Sequence, residues 1–116
     1  MNYRGSCHCG AVKYQVEADL TKPAITCNCS ICQRTGTVLT FVPADAFILE
    51  QGEDMLTDYQ FGRQNIHHLF CKRCGVKSFA RGKRRDGEPV VAINVRCLED
   101  VKLEEVPTKH VDGRSY

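Results

Sequence analysis

The chain has 116 residues, 42% of them hydrophobic and 26% charged, and its 16 Lys and Arg against 14 Asp and Glu give a formal net charge of +2. This length predicts a single domain over residues 1–116. The net charge is too small to indicate a nucleic-acid or membrane partner. The 8 cysteines are far above ordinary usage, so the fold or the function must depend on thiols.

The expected compartment is the cytoplasm. The first residues carry no signal-like apolar run, and no stretch approaches the ~20 apolar residues of a membrane span. Disulfides seldom persist in that reducing compartment, so clustered cysteines are read as metal ligands. Zinc fits their spacing best, with an iron–sulfur cluster or disulfides as alternatives.

The first cysteine pair, Cys7 and Cys9, lies in a turn bounded by glycines, Gly5–Gly10 (GSCHCG). Both thiols can face one ion there, while His8 between them should point away. Apolar and polar residues then alternate from Val12 to Glu17. This period of two predicts a strand with one buried face.

The second cluster is the triplet Cys27, Cys29 and Cys32 (CNCSIC). A tight turn can aim three thiols at one ion, but they leave one place of a tetrahedron unfilled. A single helical turn is predicted at 30–34. Strands are predicted after it at 38–42, 47–50, 56–61 and 66–71, the last two forming a hairpin.

The third cluster is Cys71 and Cys74 (CKRCG), a turn between strands of the kind that supplies zinc ligands. Many short strands with almost no helical periodicity predict a mainly β fold of small antiparallel sheets held together by metal. The remaining segments are predicted as a strand at 76–80, a basic loop at 81–89, the last clear strand at 90–95, a weakly alternating segment at 101–106, and a tail with little pattern at 107–116.

The two cysteine pairs together supply the four ligands of a closed structural zinc site, Cys7, Cys9, Cys71 and Cys74. Such a site would tie the N-terminus to the middle of the chain. Because metal binding contributes directly to folding free energy, we expect loss of this metal to unfold the protein.

The triplet needs a fourth partner, and its identity decides the role of a second zinc on Cys27, Cys29 and Cys32. If Cys97 or a histidine closes the site, it serves stability alone. If water or a substrate occupies the place, the metal is exposed and its three thiols become catalytic through it. The sequence leaves these alternatives open.

The charge of the triplet favours thiol chemistry over hydrolysis. Three thiolates on Zn²⁺ give a net charge of −1, and such a centre is a poorer Lewis acid than zinc held by neutral histidines. A substrate thiol can join it as a further sulfur ligand, lose its proton in the field of the metal and remain nucleophilic.

Two further groups could contribute to the site. His67 and His68 are adjacent on a strand and must face opposite sides, so one of them could approach the metal as a proton shuttle; both are otherwise ordinary strand residues. A set of basic residues forms either a solvated face or a rim that binds the carboxylates of a thiol substrate: Lys72, Arg73, Lys77, Arg81, Lys83, Arg84 and Arg85.

Three motifs, GSCHCG from Gly5, CNCSICQRTG from Cys27 and FCKRCG from Phe70, make the chain resemble the glutathione-dependent formaldehyde-activating enzyme family, which includes centromere protein V. The resemblance runs from about Gly5 to Leu98. It implies an Mss4-like fold of several coiled sheets. It also implies the same division of the thiols into a four-cysteine structural zinc and a three-cysteine second zinc.

The activity implied by the resemblance is the combination of glutathione with formaldehyde to give S-hydroxymethylglutathione, a carbon–sulfur lyase type of reaction. The expected protein is therefore a zinc enzyme with two ions per chain that acts on a small thiol adduct. The alternative is a non-enzymatic zinc module that binds a protein or a nucleic acid through its basic segment.

Overall fold

The computed structural model describes residues 1–115. Within them the chain forms one short helix, α1 (Ser30–Thr35), five 3₁₀ turns and ten strands. The strands are β1 (Asn2–Ser6), β2 (Lys13–Glu17), β3 (Ala24–Cys27), β4 (Leu39–Pro43), β5 (Phe47–Gln51), β6 (Leu56–Tyr59), β7 (His67–Cys71), β8 (Phe79–Lys83), β9 (Pro89–Asn94) and β10 (Thr108–Val111).

The strands form two sheets. The smaller has three strands in the order β1-β2-β5, and the larger has seven in the order β10-β3-β4-β9-β8-β7-β6. All pairs are antiparallel except β10 with β3, which is parallel. The prediction of a mainly β fold is confirmed. Among residues 1–115, no helix has the length and apolar character needed to cross a membrane.

The core lies between the two sheets, because alternate residues of their strands point to one face. Tyr14 and Phe47 of the small sheet meet Phe79 of the large one, with ring centroids 4.7 to 5.7 Å apart. The Tyr14 hydroxyl donates to the carbonyl of Ser78 at 3.1 Å, so its one polar atom is paired inside the core. Aliphatic residues complete the layer: Val12, Val16, Val42, Val91 and Ile93.

The opposite face of the large sheet carries a row of residues in register across five strands. Tyr59 faces His68, His68 faces Ala80, Ala80 faces Ala92, and Ala92 faces Phe41. Large side chains at both ends and two alanines in the middle leave a depression over β8 and β9. This depression is the floor of the cavity described below.

Most strand predictions are confirmed to within a few residues, including the alternating strand β2 and the hairpin of β6 with β7. The strand predicted at 76–80 was placed too early. The amide of Cys71 donates to the carbonyl of Val76 at 3.1 Å, which extends the cysteine turn, and β8 begins only at Phe79. The predicted loop at 81–89 is therefore confined to the residues after Lys83.

The C-terminal segment has two elements that its weak pattern did not predict. Residues 101–106 contain a 3₁₀ turn, Leu103–Glu105, and the flanking apolar residues Val101 and Val106 pack against the core. The tail contains β10, which pairs with β3. Because its first three residues are exposed on an edge, it lacks the apolar alternation that marks a half-buried strand.

Candidate metal centres

Four thiols from two distant segments meet at one point. The Sγ atoms of Cys7, Cys9, Cys71 and Cys74 all lie within 4.8 Å of one another. The Cys7–Cys9 and Cys9–Cys71 separations are 3.7 and 3.6 Å, close to the edge of about 3.8 Å of a tetrahedron with Zn–S bonds of 2.3 Å. All eight cysteines are free thiols. The four-thiol cluster could hold a metal ion.

The local backbone of each cysteine turn suits this role. Gly10 and Gly75 follow the two pairs with φ of +80° and +79°, values that a residue with a Cβ resists. The amide of Val12 donates to Cys7 Sγ at 3.3 Å, and that of Arg73 donates to Cys71 Sγ at 3.4 Å. These amides stabilise negative charge on sulfur, so both turns are prepared for thiolate ligands.

The second cluster consists of three thiols from one segment. Cys27 ends β3, Cys29 is the N-cap of α1, and Cys32 lies within the helix. Their Sγ atoms lie within 4.8 Å of one another, and all three residues are partly exposed. The amide of Cys29 donates to Cys27 Sγ at 3.4 Å, the same support as in the four-thiol cluster. The three-thiol cluster could hold a metal ion with one position left open.

The C-terminal segment packs directly on the three-thiol cluster. A Cβ on Gly113 would lie well inside contact distance of Cys27 Sγ and 3.3 Å from the Cβ of Cys29. The Asn28 side chain donates to Asp112 Oδ1 at 2.9 Å and accepts from the amide of Arg114 at 3.0 Å. No local sequence pattern predicts this contact, because Asn28 and Asp112 are 84 positions apart.

Cys97 does not join the three-thiol cluster. Burial raises the pKa of the Cys97 thiol to about 11, and the thiols of Cys7 and Cys74 add to the rise. Cys97 therefore lies on the side of the four-thiol cluster. Within residues 1–115, no histidine or carboxylate joins the three-thiol cluster either, so the alternative of a site closed by such a side chain is not supported.

The three-thiol cluster opens into a cavity of about 540 Å³ on the free face of the large sheet. This cavity is the depression over Ala80 and Ala92, walled by apolar side chains that include Phe41, Phe61 and Ile66. Its volume is within the range of small-molecule sites. A molecule in it would lie against all three thiols.

His68 and Lys77 form a polar pair in the same cavity. Lys77 Nζ donates to His68 Nδ1 at 2.7 Å. Burial and the positive charge of Lys77 lower the pKa of His68 to about 4, so the ring is neutral near pH 7 and carries its proton on Nε2. Burial also lowers the pKa of Lys77, although the charges of the Cys32 and Cys29 thiols oppose this. Lys77 is therefore close enough to interact electrostatically with the three-thiol cluster.

The two predictions about polar neighbours have different outcomes. His67 and His68 do face opposite sides: His67 is exposed and paired with Asp58, while His68 is buried in the cavity wall. Three of the seven basic residues, Lys77, Arg81 and Lys83, line the cavity. Arg81 places its guanidinium over the rings of Phe47 and Phe79, and Lys72, Arg73, Arg84 and Arg85 are exposed outside the cavity.

Comparisons with known proteins agree with this geometry. The sequence model described as "Glutathione-dependent formaldehyde-activating enzyme" matches residues 2–112. A protein of Halomonas elongata, named as an inferred glutathione-dependent formaldehyde-activating enzyme, is 33% identical over an alignment of 82 residues; the match covers 64% of this chain and 52% of that protein. The chain thus spans about half the length of this curated relative.

A solved structure is also similar. The crystal structure of a Rhodobacter sphaeroides protein superposes with a TM-score of 0.79 at 34% sequence identity, covering 91% of this chain and 99% of that one. The similarity extends over nearly all of the chain, so a solved structure supports the arrangement of the strands.

Proposed function

Because the chain belongs to the glutathione-dependent formaldehyde-activating enzyme family, we propose that it is a zinc enzyme that makes or breaks a carbon–sulfur bond of a small thiol adduct. The observation that carries this proposal is the three-thiol cluster opening into a cavity of about 540 Å³. Glutathione and formaldehyde are the substrate pair that the family suggests. The proposal places the enzyme in the reducing cytoplasm as a single domain.

The ligands in this proposal divide as the two clusters do. Cys7, Cys9, Cys71 and Cys74 hold a structural zinc, and Cys27, Cys29 and Cys32 hold the second. The donor sets fit, since thiolates at tetrahedral spacing select zinc among the common divalent ions. A zinc bound by the triplet would lower the pKa of a substrate thiol and hold its sulfur at the mouth of the cavity.

The reaction itself needs no redox partner. The sulfur of the thiol adds to the carbonyl carbon, the carbon–sulfur bond forms as the π bond of the carbonyl breaks, and the proton from sulfur ends on the carbonyl oxygen. The reverse reaction releases thiol and aldehyde. The chain's part is to position the two reactants and to move one proton between sulfur and oxygen.

His68 and Lys77 are the proposed groups for that proton. Lys77 occupies Nδ1 of His68 as a donor, which leaves the Nε2–H of the neutral ring to hydrogen-bond an oxygen in the cavity. The ammonium of Lys77 also offsets part of the negative charge of three thiolates, since opposite charges attract strongly in a partly desolvated site.

A cobalt-substituted sample tests the proposal. Cobalt in a tetrahedral thiolate site has a ligand-field spectrum that responds to each ligand, so titration with glutathione should change the spectrum of the three-thiol site. A Cys29→Ser sample, which lacks that site, should show no change. An unchanged spectrum in the unmodified protein would mean that glutathione does not enter the open position, and the proposed substrate pair would be wrong.

A further inference from the structure

We propose that the cavity beside the three-thiol cluster takes an apolar organic group of about the size of a benzene ring, carried by the thiol substrate. This inference rests on the proposed function and names its substrate class. It concerns the organic group attached to the substrate sulfur, on the side of the sulfur that faces away from the metal. The argument comes from the shape of the sheet face and from the chemistry of the cavity walls.

The register of the large sheet builds the cavity. Ala80 and Ala92 are directly paired on neighbouring strands. The side chain of each ends at Cβ. Gly82, two residues after Ala80 on the same face, also lines the cavity. Three small residues on adjacent positions of β8 and β9 leave room that larger residues on either side enclose.

The walls are apolar. Phe41 and Ile66 remain 51% and 47% exposed although they face the cavity, so large apolar surfaces are left in contact with water. Phe61 stacks on the ring of His68 at 5.3 Å and continues the wall. A contiguous apolar surface of this kind around a concave site indicates an apolar ligand.

Polar partners in the cavity are few. Three cations line the cavity, Lys77, Arg81 and Lys83. The Lys77 ammonium already bonds the His68 ring, the guanidinium of Arg81 lies over Phe47 and Phe79, and Lys83 is exposed to water at the end of β8. The carboxylates, ammonium and amides of a peptide thiol would therefore stay outside the cavity, in water, because burying them without equivalent hydrogen bonds costs free energy. A one-carbon aldehyde would leave most of the volume empty.

Two thiols of similar acidity and different organic groups test the inference. Benzyl mercaptan and 2-mercaptoethanol are titrated separately into the cobalt-substituted protein, and the change in the ligand-field spectrum gives each dissociation constant. We expect benzyl mercaptan to bind about 10-fold to 100-fold more tightly, the range that burial of a small apolar group in a pocket provides.

Variants locate the effect. Ala92→Leu fills the floor of the cavity and should abolish the preference for benzyl mercaptan while 2-mercaptoethanol still binds. Ile66→Ala removes part of the wall and should weaken benzyl mercaptan binding several-fold. Its matched control is Ile48→Ala, an isoleucine that is 62% exposed on β5 of the other sheet, and this substitution should change neither constant.

The outcomes separate the two proposals. Equal affinities for the two thiols, or a benzyl preference that survives in the Ala92→Leu protein, would overturn the inference and leave the proposed function standing. If neither thiol changes the spectrum, the open metal position itself is wrong, and the inference fails with it. Circular dichroism of each variant checks that it is folded like the unmodified protein.

Discussion

The two cysteine clusters have similar local chemistry and different positions in the molecule. In each, a backbone amide donates to a cysteine sulfur, Val12 to Cys7 in one and Cys29 to Cys27 in the other. The four-thiol cluster joins segments 62 residues apart, as in the Cys9–Cys71 contact, and two of its members are fully buried. The three-thiol cluster comes from a segment of six residues, 27–32, and its three cysteines are all partly exposed.

In the proposed function, sequence separation and burial, more than ligand chemistry, distinguish the structural cluster from the catalytic one. A metal on the four-thiol cluster closes a long loop and holds both sheets, so its binding free energy is also folding free energy. A metal on the three-thiol cluster fixes a short loop that already has a helix and a strand to hold it. We therefore expect that loss of a metal from the three-thiol cluster leaves the fold intact.

The largest expected effect is that of Cys71→Ser. Removing a fully buried ligand of the four-thiol cluster should cost a large part of a metal-binding free energy of the order of 10 kcal/mol, so the protein should not fold under native conditions. Circular dichroism and zinc analysis measure this. Cys29→Ser is the matched substitution in the other cluster, and this variant should stay folded with about one zinc ion in place of about two.

A folded Cys71→Ser protein, or an unfolded Cys29→Ser protein, would reverse the roles assigned to the two clusters. Chelation should follow the same order. The metal of the open cluster should be removed first and without loss of ellipticity, and removal of the second should coincide with unfolding.

The next effect in size concerns Gly113. An added Cβ would collide with Cys27 Sγ, so Gly113→Ala should displace the C-terminal segment or the thiol and lower zinc affinity of the three-thiol cluster about 10-fold to 100-fold. Competition with a chromogenic chelator measures this. Gly82→Ala is the control, since its Cβ would meet its nearest atom, Ile66 Cγ1, at an ordinary 3.7 Å; equal losses in both variants would contradict the packing argument.

A smaller effect is expected from Asn28→Ala. This substitution removes the side-chain bonds to Asp112 and to the Arg114 amide, so the three-thiol loop loses its polar link to the C-terminal segment. Zinc affinity of that cluster should fall about 10-fold, the lower end of the range for groups that orient metal ligands. The four-thiol cluster should be unaffected, so an altered melting temperature with unchanged zinc affinity would contradict this role.

The smallest effect is a pH dependence of stability on the cavity side. The His68 ring takes up a proton at its ordinary pKa of 6.5 in the unfolded chain and only near pH 4 in the fold, so acidification favours the unfolded chain. The contribution of the neutral His68 ring to the free energy of unfolding is complete above pH 6.5, and it is lost progressively as the pH falls toward 4.

Between pH 7 and pH 6, His68 should therefore reduce the free energy of unfolding by about 0.5 to 1 kcal/mol. Chemical denaturation of the unmodified protein and of His68→Gln at both pH values isolates this difference, because acid effects on the thiols are common to both. The same pH dependence in both proteins would show that His68 is not held neutral by its surroundings.

Much of this arrangement could be predicted from local sequence. The glycine-bounded cysteine turns, the alternation along β2 and the β6–β7 hairpin are encoded within a few residues each, so pattern and turn chemistry identify them. The separation of thiols into a set of four and a set of three follows from valence and spacing. What local sequence cannot encode is which distant segment completes each cluster.

The sequence by itself determined that the thiols form clusters and that the fold is mainly β, because ligand spacing and alternation act over short distances. Tertiary structure decided which segments surround the three-thiol cluster and the cavity beside it. Parallel pairing of β10 with β3 brings Gly113 onto the three-thiol cluster, and the register of β8 with β9 places two alanines side by side beneath the cavity. The strand pairing and the strand register both depend on contacts with residues outside the local sequence. Such contacts leave no local sequence pattern from which they could be predicted.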